Sequence, residues 1–481
     1  GFRGYSFEGL SFQLNKSVDT LRGNIQGQAM FGEIRSGFIL HQIYQDPLYS
    51  LDLALSHLDL SRFLDDTTYR SDLNISLMAE GRHTDPDSIQ ANVELVLNDS
   101  RFMNRPLKDM HTMLEYDRRN YRLRGLNLSS PFFTLNMQGS GNLDGENQLG
   151  FEFLAGDLHT FTSRLGLPAT DMDGSLSGKA EGTMDSMNLT ASYRFSRLQY
   201  DTMWVNSLEG EMRTLFYRDS IVGGELHLAA DSSFTGNQWI EKFALSSSLE
   251  SGRLQNELDV KVNDTLSLDT RTDVIMGQTP LVQIRKVNMQ IDTSTWTGGS
   301  DSTGIALGRD ALEIQHLKLN SGSQEIWADG TLAFRGEEAL EVGVVNLDLG
   351  QWVSLTSFPH RLGGVLDAGI HLAGTAAEPR LQGGVDIRHP RLDTLQLERL
   401  HTGFRYDSSV FSIQGHLDAG LHQAISLQAR IPVDLSLADS LVLPGPETPI
   451  RASLMVDSLQ AGLANPFLEE HGLEVTETDL G

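Results

Sequence analysis

Asp171-Met172-Asp173-Gly174 opens like a calcium loop, where alternate carboxylates turn toward one ion and a later bidentate Glu completes the shell. Here the downstream ligands and that Glu are missing. Gly174-Ser175-Leu176-Ser177-Gly178 has the glycine spacing of a nucleophile elbow. Its centre is Leu176 and not Ser, so it reads as a turn into a strand. Gly298-Gly299-Ser300 to Gly304 lacks the Lys of a phosphate loop and reads as a flexible hairpin tip. The 14 His residues are scattered, with neither HExxH nor HxH to hold a metal. Trp204, Trp239, Trp296, Trp327 and Trp352 show no paired spacing for stacking on sugars or bases, so packing is their default role. No convergent acid–base or nucleophile set emerges. The chain reads as a protein that is not an enzyme and needs no cofactor.

Composition narrows the class. Basic residues number 37 and acidic residues 64, a net charge of −27. Phosphate backbones need clustered Lys and Arg, so nucleic acid is not an expected partner. An anionic membrane surface is disfavoured for the same reason. Cysteine is absent, which removes disulfides and thiolate metal sites and suits an oxidising compartment such as a periplasm. Hydrophobic content of 39% is low for a closed core of this size and fits a sheet with one wet face. No stretch of about 20 apolar residues is long enough to span a bilayer as a helix. The chain starts on Gly1 with strand alternation already under way, so an internal fragment of a longer protein is expected.

The elements that must carry any function are strands. Leu73, Ile75, Leu77 and Ala79 alternate with Asp72, Asn74, Ser76 and Glu80, and Val93, Leu95 and Leu97 resume the same face. Period two places one set of side chains on each face of a sheet. Leu366, Ala368, Ile370 and Leu372 do the same around Asp367, Gly369 and His371, with Gly374-Thr375 and Glu378-Pro379 as turns. The region between holds further strands around Val260, Val287-Met289-Ile291, Leu312-Ile314 and Leu317-Leu319.

Short helical faces interrupt this pattern. Leu58, Leu60, Phe63 and Leu64 form the first. Leu158, Phe161 and Leu165 form the second, with Asp157 as candidate cap. Leu349, Trp352, Val353 and Leu355 form the third, and Leu459, Leu463 and Phe467 a fourth. The starting leucines Leu60, Leu158, Leu349 and Leu459 suggest a repeat of about 100 residues, with one copy near residue 250 degenerate. The divisions expected are 1–156, 157–346, 347–456 and a truncated 457–481. Short turns between alternating strands favour antiparallel meanders. The fold class expected is therefore all-β: an elongated, twisted antiparallel sheet of roughly 35 strands, curled into an apolar-lined groove because open sheets of many strands do not stay flat.

An apolar face of that extent needs an occupant, since its exposure costs about 25 cal/mol per Å². Taken alone, the pattern more often marks the core face of a sheet covered by protein.

The best-patterned stretch carries a resemblance. Leu347-Asp348-Leu349, a short helix, Gly364-x-Leu366 through Leu372-x-Gly374-Thr375, then Pro379-x-Leu381-x-Gly383 resembles the AsmA-like superfamily, most closely its TamB branch. The preceding run, Leu312-Glu313-Ile314 through Leu317-Lys318-Leu319, Gly322, Ile326 and Gly330-Thr331-Leu332, is similar to the segment before this motif in that branch. The match covers about 310–420, with weaker copies elsewhere. The first copy departs from it, with Arg82 after Gly81, and no Pro closely follows Gly182-Thr183 in the second.

The resemblance implies a periplasmic, groove-like β structure that bridges inner and outer membranes and carries phospholipids for outer-membrane assembly. It also implies an inner-membrane anchor outside this sequence and an outer-membrane barrel partner of the TamA type. Phospholipid acyl chains would then contact Leu73, Ile75, Leu77, Val93, Leu95, Val287, Met289, Ile291, Leu366, Ile370, Leu372, Phe411, Ile413 and Leu417. The competing expectation is a structural or adhesive extracellular β-repeat protein. A transmembrane barrel is disfavoured, because 7% scattered aromatics make no girdle.

Overall fold

The computed structural model describes residues 7–457 apart from 30, 86, 157, 165–167, 169, 219, 236–237, 354, 357–359, 394, 421–422 and 437–449. The expected fourth helical face and the Asp157 cap lie outside the described residues. The chain divides into two compact units, 1–251 and 252–481. The described residues hold 33 strands, in keeping with the all-β reading. Three short α-helices accompany them: α1 (Leu60–Leu64), α2 (Leu158–Arg164) and α3 (Leu349–Val353).

In both units the described strands pair antiparallel, mostly with their neighbours in sequence. Tight connections enforce this. Met103-Asn104, Arg118-Arg119 and Ser408-Ser409 each place two successive residues at positive φ, the backbone of the hairpin turn whose twist matches the strands it joins. Arg118-Arg119 does so without glycine. Arg119 is held there by ion pairs to Asp87 and Asp144 from neighbouring turns. The strands run longer than the sequence pattern implied, reaching 15 residues at Ser186–Tyr200 and Met203–Tyr217. Residues 242–263 carry two strands and no helix where the degenerate repeat was expected.

Two local readings are corrected. Gly174 to Gly178 lies inside the strand Thr170–Gly182 and not in a turn. Gly174 sits at a bulge with φ +155, and a Cβ there would come within 2.1 Å of the Arg194 carbonyl oxygen. The segment from Gly298 to Gly304 is likewise not a hairpin tip. The strands Ser294–Gly298 and Gly304–Leu307 both pair with Leu281–Ile291 on one side and Ala311–Ser321 on the other, so the glycine-rich residues bulge out of one interrupted strand.

A bulge clamp recurs. Ser56-His57, Gln315-His316 and Val345-Asn346 each set two residues against one on the next strand, respectively Asn74, Asp329 and Asp367. The second residue of each pair has positive φ. Its N–H donates to the side chain opposite, over 3.0 Å to Asn74, 2.7 Å to Asp329 and 2.7 Å to Asp367. The extra residue takes its own N–H out of the ladder, and the Asn or Asp satisfies that donor. Two of these clamps immediately precede α1 and α3.

Candidate functional site

Register decides which side chains share a face, since paired residues point the same way and a one-residue slip would invert the pattern. In unit 1, Leu53 pairs with Leu77, Leu77 with Leu95 and Leu95 with Thr112. The row beside it runs Leu51, Ala79, Val93, Leu114 and Leu123. Farther along the same face, Met137 pairs with Phe151 and Gly178 with Ala191. Leu73, Ile75, Leu77, Val93 and Leu95 therefore lie on one face. Leu73 is buried opposite Leu58, beside α1.

Unit 2 repeats the segregation. One row links Leu319, Ile326, Val344, Ala368, Val385 and Thr402. A second links Val342, Ile370, Gly383, Phe404, Ile413 and Ala429. Leu366, Ile370, Leu372, Phe411, Ile413 and Leu417 share this face. Val287 and Met289 join it through Gly298 and Trp296.

Exposure along this face is uneven. At one end Ile291 is 1% exposed and Trp296 fully buried, with Leu347, Met289, Leu366 and Trp352 of α3 packed around them. There the protein itself occupies the face, and Ile291 reaches no solvent. In mid-strand the face is open. Ile370 is 40% exposed, and Leu427 and Leu454 farther along the sheet are exposed too. Gly383 opposite Ile370 has no side chain to shield it. A Cβ there would come within 2.5 Å of the Phe404 ring, which lies across the glycine. The same device recurs where Phe38 crosses Gly23, Phe151 crosses Gly178 and Tyr193 crosses Gly210. Rings laid over glycines keep the apolar surface low and continuous.

The opposite face is polar. In unit 1 it holds an open concavity of about 830 Å³ across the strands from 120 to 230, lined by Asn127, Asn136, Glu152, Lys179, Arg213 and His227 among others. Asn127 donates to Asn136 at 2.5 Å and Asn136 to Glu152 at 2.9 Å, a ladder that satisfies neighbouring strands. No protein-family model, curated protein or solved structure matches this chain.

Charged groups serve as fasteners. Burial pushes the Asp273 carboxyl up, but Arg253 and Arg285, both bonded to it, outweigh burial and leave it below the usual carboxylate range. Asp386 is lowered chiefly by its hydrogen bond from Arg399. Histidines pair singly with carboxylates, as His57 does with Asp72 at 2.9 Å. Among the described residues no three His, Asp or Glu side chains converge to hold a metal. No described helix is long and apolar enough to cross a membrane.

Sequence spacing missed two aromatic pairs that the fold assembles. Trp204 meets Trp239 edge-on at 4.6 Å and Trp296 meets Trp352 at 5.4 Å, both from distant segments. It also passed over Glu338. Alternation puts that residue on the apolar face with Leu340, Val342 and Val344, so a carboxylate heading an apolar row was legible.

Proposed function

We propose that this chain is a bridge-like lipid-transfer protein that carries phospholipids along the apolar faces of its sheets. In this reading it works in the periplasm between inner and outer membranes and supports outer-membrane assembly. One observation carries the reading: strand after strand, apolar side chains fall on one face, and that face is open in mid-strand at Ile370. An acyl chain is about 15 Å long, half the hydrocarbon thickness of a bilayer. Laid across strands about 4.8 Å apart, it covers three or four of them. The row Val342, Ile370, Gly383, Phe404 and Ile413 offers that length. Such contacts ask for no polar chemistry, and head groups stay in water. An inner-membrane anchor and a TamA-type barrel partner belong to the same proposal.

Organic-solvent extraction of the purified chain followed by lipid mass spectrometry tests it. Several phospholipids per chain, beyond a matched soluble control, are expected. A lipid-free, monodisperse protein would overturn the reading in favour of a structural or adhesive β-repeat protein. In the intact protein Ile370→Asp is expected to block lipid passage while the fold persists, because a charge in an apolar path costs several kcal/mol to desolvate. Unchanged transport by that variant removes Ile370 from the path.

A further inference from the structure

Glu338 is the most anomalous group in unit 2. It is 3% exposed, and neither carboxylate oxygen has a hydrogen-bond partner. It pairs with Gly374, which pairs with Pro379, so it heads the apolar face at the end of the strands opposite α3. The chain closes over that end. Beyond the strand Gln423–Pro432, residues 433–436 cross back over the hairpins as a strap. Val433 N–H donates to the Ser409 carbonyl at 3.0 Å, Leu435 N–H to the Tyr406 hydroxyl at 3.0 Å, and Ser436 Oγ–H to the Ala376 carbonyl at 3.1 Å. Ala376 in turn donates its N–H to the carbonyl of Gly336, two residues before Glu338. Ala376 and Tyr406 are almost fully buried. One short segment thus ties down the end of the face, and it is linked through Ala376 and Gly336 to the start of the strand that carries the unpartnered carboxylate.

Among the described residues no Lys or Arg on the apolar face offsets that carboxylate. Its neighbours there are Leu332, Leu340, Gly374, Leu372, Pro379, Leu381 and Tyr406, of which only the tyrosine titrates. Asp310, Arg335, Glu337, Glu378, Arg380 and Asp434 are exposed in the turns or on the other face, and Asp407 is bonded by Arg405.

We propose that Glu338 and the strap form a proton-dependent closure at this end of the apolar face, shut when the carboxyl is neutral and released when it ionises. The desolvation penalty falls on the charged form, so opening to water relieves it. Burial also holds the Glu338 carboxyl above the ordinary glutamate range. Closure is therefore strongest below the ordinary glutamate value and weakens as pH rises toward the raised one. This inference goes beyond the lipid reading and needs no lipid for its test.

The test is amide exchange at Leu435 in the wild-type chain and in Glu338→Gln, across pH 4 to 8. The ratio of the two rates cancels the intrinsic base catalysis of exchange. It is expected to climb at least about threefold with pH, while amides of the strand Arg399–Asp407 keep a constant ratio. A flat ratio at Leu435 overturns the closure. A ratio that climbs equally in the strand amides also overturns it, because Glu338 would then govern the whole unit and not the strap. If Glu338→Gln does not fold, Glu338→Leu takes its place in the same comparison.

Discussion

α1 and α3 occupy equivalent places, each following a bulge clamp and returning the chain to a strand whose Asn or Asp completes that clamp. Their means of attachment differ. α3 sends Trp352 into a core with Ile291, Trp296 and Leu347. Neither helix has a fully buried residue, but the Phe63 of α1 is 41% exposed and meets Phe31 edge-on at 5.3 Å. α1 is instead held at its start. The Asp59 carboxylate accepts from the Ser61 N–H at 3.1 Å, the Ser61 hydroxyl at 2.6 Å and the Ser71 N–H at 3.2 Å. Asp348 likewise accepts from the Gly350 N–H at 2.9 Å at the start of α3, so the difference is the apolar packing of Trp352 that α3 adds to its cap. A helix of one turn cannot sustain itself, so one of these supports is required.

The largest effect should follow from emptying the α3 core. Trp296→Ala removes the largest fully buried side chain and leaves a cavity, at about 3–5 kcal/mol. Chemical denaturation of residues 252–481 should report that loss. A cost under about 1 kcal/mol would mean that the core collapses freely and that α3 is no better anchored than α1.

Next comes the cap of α1. Asp59→Ala should cost about 1–2 kcal/mol, since one carboxylate serves three donors. Burial pushes the Asp59 carboxyl up, but bonds from Ser61 and Ser71 outweigh it and leave the group below its usual range. A lowered carboxylate contributes its stability above its ordinary value and loses it as pH falls through the folded one. Protection of the α1 amides in hydrogen exchange should therefore decline in acid, while α3 keeps its protection. Equal decline at both helices would erase the distinction between them.

The helix starts Leu60, Leu158 and Leu349 and the strand faces were legible in the sequence, because alternation and short helical stripes are local signals. Leu73, Ile75, Leu77, Val93 and Leu95 could be grouped on one face because period two leaves no other arrangement. What occupies the face was not legible. Ile291 and Ile370 have the same pattern in sequence, yet one lies under Trp296 and the other is open, because that depends on where α3 folds back. The bulge clamps were hidden for a related reason. A bulge changes the count of residues in one strand relative to its partner, which alternation within a single strand cannot reveal. Gly174 and Gly298 were misassigned as turns because glycine serves bulges as readily as turns.

The smallest effect should come from the apolar contact of α1. Phe63→Ala removes a half-exposed ring and one edge-on pair, worth about 1 kcal/mol or less. The value of this variant lies in its ratio to Asp59→Ala. If capping anchors α1, Phe63→Ala leaves the α1 amides protected at neutral pH and preserves their acid sensitivity, since the Asp59 bonds remain. If Phe63→Ala unfolds α1 as fully as Asp59→Ala does, the Phe31 contact holds the helix and the two units use one strategy. The exposed ring would then mark an apolar anchor only partly sunk into its sheet, and α1 would differ from α3 in degree alone.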